Sequence, residues 1–338
     1  MKKVTEMLLI TGGSGFIGKY LSAHILLTTD EKIRIFSNNP NKFFFGLEDI
    51  LLSALDHIKT LGSSGFYSKK QIDFAKNRYE NRELLITETI EICKGDITNK
   101  QDVTAALAEV DKVIHAAGIL NARKTQTVER VNYSGTKNLV ELMVKNQIAP
   151  LINIGILGTS ENSKFSFHHS KWKAEQEIIQ SGIEFKLFKT SLVLGKDDNF
   201  TKRMRRAISF PFPILPLPEK KNVFLQPILV NDFATAVLSC LNGGSSKHNV
   251  YEIGGPEYFS LKQILSIYLG LMGKQRLIIP IPPSILTVPA KVLELIMPDP
   301  FITSTELQGL SQNNTGELNS IYEYFGFNPL PIKDNLVL

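Results

Sequence analysis

An α/β fold built on a doubly wound, mostly parallel sheet is predicted for this chain, and three observations predict it. The apolar run Met7-Leu-Leu-Ile10 leads straight into Thr11-Gly-Gly-Ser-Gly-Phe-Ile-Gly18, a strand, a tight glycine turn and a helix start. Strand and helix patterns then alternate from residue 90 to residue 190. The 338 residues, 43% apolar and 21% charged, suffice for one large α/β domain with a smaller lobe attached.

After the first strand, Ile17, Tyr20, Leu21, His24, Ile25 and Leu27 recur at helical spacing. Residues 32–37 read as a second strand, which completes a βαβ unit. Residues 41–89 hold no clear strand. Leu47, Ile50, Leu51, Ala54, Leu55, Ile58 and Leu61 mark one helical face, and Gly62-Ser-Ser-Gly65 breaks it. Ser68 with Gln71 forms a capping-box pattern before Ile72, Ala75 and Tyr79. A helical hairpin inserted after the second strand is therefore expected. The alternation resumes with strands at 90–94, 112–116, 151–154 and 185–190. Helices are expected at 131–145 and 167–181, with Thr98 capping the helix after the third strand and Gly182 as a C′ stop. Beyond Gly195 the chain is richer in proline. Strands are expected at 223–228 and 250–253, and helices at 232–241 and 261–272. The organisation expected is a nucleotide-binding domain over residues 1–195. A C-terminal lobe follows over 196–338, with about 223–253 returning to the first domain.

The bulk numbers exclude several classes. A net charge of +5 and a pI near 8.9 are mild, and nucleic-acid-binding signatures are absent. Cys93 and Cys240 sit in apolar runs and read as buried free thiols rather than redox groups, which suits a reducing compartment. Met-Lys-Lys running into a strand by Met7 leaves no room for a signal peptide. No window of about eighteen apolar residues occurs, so no spanning helix is expected. A cytoplasmic location, or the matrix side of a mitochondrion, follows as the expectation.

The chemistry begins at Gly12, Gly15, Phe16, Ile17 and Gly18. A pyrophosphate needs a turn with positive φ, close backbone approach and the N–H groups of a helix N-terminus. Sites that select NAD place a carboxylate at the end of the second strand. Here that stretch is Phe36-Ser-Asn-Asn-Pro-Asn-Lys42, with no acid. Ser37, Asn38 and Lys42 are candidates to meet a 2′-phosphate, which favours NADP(H) over NAD(H); an ordinary polar loop is the alternative.

The glycine motif, Gly95-Asp96-Ile97, His115-Ala-Ala-Gly118 and Val131-Asn-Tyr-Ser-Gly-Thr136 together resemble the short-chain dehydrogenase/reductase superfamily. Ile154-Gly-Ile-Leu-Gly-Thr159, Ser170-Lys-Trp-Lys-Ala-Glu175, Ser191-Leu-Val-Leu-Gly-Lys-Asp-Asp-Asn-Phe200, Phe224-Leu-Gln-Pro-Ile-Leu-Val-Asn-Asp-Phe233 and Tyr251-Glu-Ile-Gly-Gly-Pro256 look like its atypical, epimerase/dehydratase-like branch. Within that branch the chain is similar to the nucleotide-binding accessory subunit of respiratory complex I and its bacterial relatives. The resemblance implies a Rossmann-type fold. It implies that Asp96 and Ile97 flank the adenine, that Ala116, Ala117 and Gly118 line the cofactor with Asn132 beside them, and that Lys171 holds the nicotinamide ribose.

The departures from the family pattern are equally specific. The serine usual after the fifth strand is missing near Ile154 and Gly155, the tyrosine four residues before Lys171 is Phe167, and the usual Arg-Pro pair is Lys189-Thr190. Loss of one positioned acid–base group costs roughly 10²–10⁴-fold in rate. His168 and His169 adjoin Phe167 but diverge from it around the helix, so they read as solvent-facing or locally bonded, with catalysis as the alternative. Ser163 and Thr159 lie in the preceding loop. The expectation is a nucleotide-binding structural, assembly or sensor protein; the alternative is a reductase or epimerase with unorthodox groups. Two surface features remain. Lys202-Arg-Met-Arg-Arg206 reads as a solvated helix face or an anion contact, and residues 280–297 carry an apolar face, read as packed on the main domain or docked on a membrane or protein assembly.

Overall fold

Met7–Thr11 forms β1, and its residues from Leu8 onward are buried. The turn that follows enters α1 (Phe16–Thr28), and β2 (Lys32–Ser37) returns parallel to β1. The computed structural model describes residues 6–121, 127–211, 213–241, 248–297, 300, 302–310 and 312–338. After a short 3₁₀ turn, Pro40–Phe43, come α2 (Leu47–Ser63), α3 (Lys69–Glu80) and α4 (Arg82–Thr89). Then follow β3 (Ile90–Lys94), α5 (Lys100–Ala106), β4 (Lys112–His115), a π-helical turn at Glu129–Ser134 and α6 (Gly135–Asn146). β5 (Leu151–Ile156), α7 (Ser166–Gln180) and β6 (Phe185–Thr190) complete the alternating part.

The rest comprises β7 (Val193–Leu194), α8 (Asn199–Ser209), β8 (Ile214–Pro218), β9 (Ile228–Leu229), α9 (Val230–Leu241) and β10 (Val250–Ile253). α10 (Leu261–Leu271), β11 (Leu277–Ile281), α11 (Pro283–Ile296), α12 (Ser304–Gly309), α13 (Ser320–Phe325) and α14 (Ile332–Asn335) end the chain.

Among the described residues one seven-stranded sheet runs in the order β10, β6, β5, β4, β1, β2, β3. The pairs β1–β2, β1–β4, β2–β3 and β4–β5 are parallel. The order reverses at β1. The crevice beyond the carboxyl ends of β1 and β4 is where such sheets bind ligands. Leu9, Phe36, Val113 and Leu151 pack with Val103, Leu139, Met143 and Ile178, so α5, α6 and α7 cover one face. Successive strand residues point to opposite faces, and α1, packed against α2, α3 and α9, covers the other.

The chain divides into two units. The first is Met1–Lys189 with Val230–Tyr251 and Tyr322–Phe327; the second is Thr190–Leu229, Glu252–Ile321 and Asn328–Leu338. The second unit has its own core, including Leu194, Ile208, Leu217, Ile264, Tyr268 and Ile332. Buried Gln226 ties its segments together: the side-chain nitrogen donates to Gly255 O (2.8 Å) and Glu317 O (3.2 Å), and the oxygen accepts from Gly316 N (2.7 Å).

Several expectations need correction. The insertion is three helices rather than a hairpin, because Asn81 ends α3 and a new helix begins at Arg82. The Ser68–Gln71 capping box is present in full. Thr98 does not cap α5; Asn99 does, its side chain accepting from Gln101 N. Residues 223–228 are not a strand: only Ile228–Leu229 pairs, with β7, while Leu225 makes isolated bridges to Phe259 and Asn314. Cys93 and Cys240 are half-buried rather than buried, and burial raises the Cys93 thiol. On α11, Ile285, Val288 and Val292 are exposed, not packed, while Leu286 and Leu293 are half-buried. Among the described residues no helix is long and apolar enough to cross a membrane, and no cluster of metal-ligating side chains occurs.

Candidate functional site

Gly12 has φ +69°, and a Cβ there would lie 2.8 Å from the Ala117 backbone, so β1 and β4 approach too closely for any other residue. A Cβ on Gly18 would lie 2.6 Å from Gly12 O and from Gly13 Cα, which locks the helix onto the turn. Gly15 differs. It is the N-cap of α1, it supplies no side-chain cap, and a Cβ there would meet only Gly12 O, at 3.0 Å. No acid occupies the first turn of α1. The first-turn N–H groups of a 13-residue helix, around Phe16 and Ile17, thus follow a turn that carries no side chain at Gly12, Gly13 or Gly15. Backbone donors and the helix dipole together favour an anion there.

At the end of β2, the Ser37 hydroxyl is 2.6 Å from that of Ser14 and accepts from Asn39 N at 3.2 Å. Ser37 is buried, whereas Asn38 and Lys42 are exposed. Lys42 lies in the 3₁₀ turn beyond the strand. Asp96 accepts from Thr98 N at 2.9 Å, and its own N–H donates to Asp102 Oδ2 at 2.8 Å. Ile97 is buried under Gly135, whose Cβ would lie 2.8 Å from Ile97 Cγ2.

Beneath the glycine turn runs a hydrogen-bonded chain that sequence reasoning missed. Thr136 Oγ1 donates to Asn132 O (2.7 Å), so it accepts from His115 Nε2 (2.8 Å). His115 Nδ1 then accepts from Thr11 Oγ1 (2.6 Å), which itself accepts from Ala117 N (3.4 Å). This assigns a neutral imidazole with the proton on Nε2. Burial, then the Lys171 charge, lower the His115 pKa to about 3. The signal was available, since Thr11 and His115 open two of the quoted motifs.

Lys171 and Asn132 converge on Gly118. A Cβ at Gly118 would lie 3.2 Å from Lys171 Nζ and 3.3 Å from Asn132 Oδ1. Asn132 clamps Ile119, accepting from its N–H (2.8 Å) and donating to its carbonyl (2.9 Å), and also donates to Ser170 Oγ (3.3 Å). Ser170 in turn donates to Phe167 O at 2.9 Å. Lys171 donates to Ile154 O at 3.1 Å and is buried. Burial lowers its pKa to about 8, against the opposing pull of Glu175.

Glu175, one helical turn beyond Lys171, is a second group missed from sequence. Its Oε1 would lie 3.2 Å from a Cβ at Gly155. Thr159 donates to its Oε2 at 2.8 Å and Lys189 Nζ lies 3.3 Å away. Burial raises its pKa, while Lys189 is the largest opposing influence. His168, expected to face solvent or to bond locally, is instead buried between Phe165 and Phe167, and burial lowers its pKa. His169 stacks on Trp172. The loop hydroxyl of Ser163 accepts from Phe165 N.

The 3-beta hydroxysteroid dehydrogenase/isomerase family matches residues 9–180, just over half of the chain. The chain belongs to this family. The short-chain dehydrogenase resemblance and its epimerase-like branch are thereby borne out, and so is the likeness to complex I accessory subunits. A 177-residue stretch is 25% identical to NADH dehydrogenase (ubiquinone) 1 alpha subcomplex subunit 9, mitochondrial, of Arabidopsis thaliana, covering 52% of this chain and 44% of the relative. The 40 kDa subunit of the Neurospora crassa NADH-ubiquinone oxidoreductase is 20% identical over 236 residues, 69% of this chain and 62% of the relative. The chain spans about half the length of the first curated relatives it matches. In fold, this family member is similar to the NADPH-dependent quinone oxidoreductase of Escherichia coli complexed with NADPH. The TM-score is 0.65 at 14% identity, covering 97% of this chain and 98% of that one. A nucleoside-diphosphate-sugar epimerase of Staphylococcus aureus gives a TM-score of 0.67 at 14% identity, covering 96% and 98%.

Proposed function

We propose that this family member binds a nicotinamide dinucleotide and holds it without orthodox dehydrogenase turnover, as a structural, assembly or sensing subunit. The observation that carries this reading is the pairing of a retained, buried Lys171 with Phe167 and Gly155 at the usual proton-donor positions. When bound, a nicotinamide supplies hydride chemistry. This chain's residues would do the rest. The α1 N-terminus would hold the diphosphate, and Gly12, Gly15 and Gly18 would admit it. Asp96 and Ile97 would flank the adenine. Ala116, Ala117, Gly118, Asn132 and Lys171 would line the nicotinamide half. Relatives that are NADH dehydrogenase subunits support a place in a larger assembly.

NADP(H) is the preferred form in this reading, because β2 ends without a carboxylate and Lys42 is exposed just beyond it. Ser37 is already engaged with Ser14, so Asn38 and Lys42 would carry the discrimination. Fluorescence titration with NADPH and NADH tests this, and tighter NADH would contradict it. Turnover is tested over a panel of carbonyl substrates. Robust oxidation of NADPH that Lys171→Ala abolishes would replace the binding-only reading with the enzymatic one. One observation favours that second reading: Glu175, buried and held by Thr159 and Lys189, lies against Gly155 and would be the candidate proton-exchanging group there. Phe167→Tyr should leave binding nearly intact and create no reductase, since Gly155 still lacks the hydroxyl.

A further inference from the structure

We propose that Glu175 is a positioning residue acting through Lys171: it is the buried counter-charge that keeps the ammonium protonated and able to bond a ligand hydroxyl. The effect on dinucleotide affinity rests on the binding reading above, whereas the charge pairing does not. Lys171 and Glu175 stand four residues apart on α7, on one face of the helix. Both are buried, at 8% and 3% exposure. They meet consecutive residues of β5. Lys171 Nζ donates to Ile154 O at 3.1 Å, and Glu175 Oε1 would lie 3.2 Å from a Cβ on Gly155. A buried ammonium bonded to a neutral carbonyl loses its proton readily unless an anion stands nearby.

Glu175 is held as that anion. Its Oε2 accepts from Thr159 at 2.8 Å and lies 3.3 Å from Lys189 Nζ, and both contacts favour the ionised form. Its Oε1 is buried with no hydrogen-bond partner. Such an oxygen costs free energy unless positive charge offsets it. Lys171, one turn earlier, and Lys189 supply that charge. The neighbouring imidazoles supply none: His115 of β4 and His168 of α7 are kept neutral by burial. The pairs Lys173–Glu129 and Lys137–Glu177 lie at the partly exposed flank of α7, where solvent screens them. Burial pulls the Lys171 ammonium down to about 8 even with Glu175 in place, so losing the carboxylate should carry it lower.

The test reads Lys171 directly in the nucleotide-free full chain, by heteronuclear NMR of the lysine side chains, with Lys171→Arg assigning its signal. In Glu175→Gln the Lys171 titration midpoint should fall by about one pH unit. In Glu175→Asp, which keeps the charge, it should return most of the way. Should Glu175→Gln not fold, Glu175→Met carries the same expectation. NADPH affinity of Glu175→Gln, by fluorescence titration, should then be about fivefold weaker than that of the unmodified chain at pH 8 and nearly equal to it at pH 6. A mere loss of packing would weaken both alike and leave the midpoint where it was. An unmoved midpoint in a folded neutral variant would overturn the proposal, whatever NADPH does. A lowered midpoint with NADPH affinity indifferent to pH would uphold the charge pairing and sink the reading of Lys171 as the ribose contact.

Discussion

Burial brings the Lys171 ammonium to about 8, so its charge state changes within an accessible range. Charge-assisted hydrogen bonds to a ribose need the protonated form. Dinucleotide affinity should therefore fall as pH rises through about 8, and Lys171→Met should bind weakly with no such dependence; a flat wild-type profile from pH 7 to 9 would contradict this. His24, His57 and His115 respond to acid instead. Burial is the main cause in each, lowering them from 6.5 to about 4, 3 and 3. With folded values below the unfolded one, the unfolded chain takes up protons first. Stability is thus full above 6.5 and lost as pH falls below it, by about 1.4 kcal/mol per histidine per pH unit. Urea midpoints at pH 7 and 5 measure this. The turn glycines separate fold from binding. Gly18→Ala sets a methyl 2.6 Å from backbone and should destabilise the domain, whereas Gly15→Ala meets only Gly12 O and should melt nearly normally while binding nucleotide less well. Equal effects of both on melting would refute that division.

The helices between β2 and β3 read from sequence as an insertion, which by itself suggests a segment the sheet could do without. Their packing argues otherwise. Leu51, Ala54 and Ile58 of α2 are fully buried, and α2 contacts both α1 and α9. Ile58→Ala should cost about 2–5 kcal/mol, whereas Leu84→Ala on α4, 60% exposed, should cost almost nothing. Comparable losses in chemical denaturation would show that α2 and α4 are equally integral. The same region shows why element types were legible and some boundaries were not. Alternation and the Ser68–Gln71 capping box are local signals, so β1 to β6 and α3 could be read directly. The stretch at 223–227 has strand-like residues but only two isolated bridges, at Leu225, and pairing begins at Ile228; pairing is a long-range property.

At the scale of the molecule, the candidate site was legible where a motif specifies backbone shape, as at Gly12 and Gly18, or names a chemical group, as at Lys171. It was illegible where a role depends on partners far along the chain. His115 acquires its tautomer from Thr11 and Thr136, and Glu175 its environment from Lys189 and Thr159. Long-range assembly also bears on the expected boundary near residue 195. The first unit includes Val230–Tyr251 and Tyr322–Phe327. A fragment ending at residue 195 lacks α9 against α1 and β10 beside β6, so it should give no cooperative melting transition by circular dichroism. A sharp transition in that fragment would show that the first stretch suffices. Inside a cell the same interleaving becomes a matter of timing. Ribosomes add about 5–20 residues per second, so the α1 surface that α9 covers stays open for seconds after β6 has emerged. The nascent chain would present that greasy surface to chaperones until the downstream segments leave the exit tunnel.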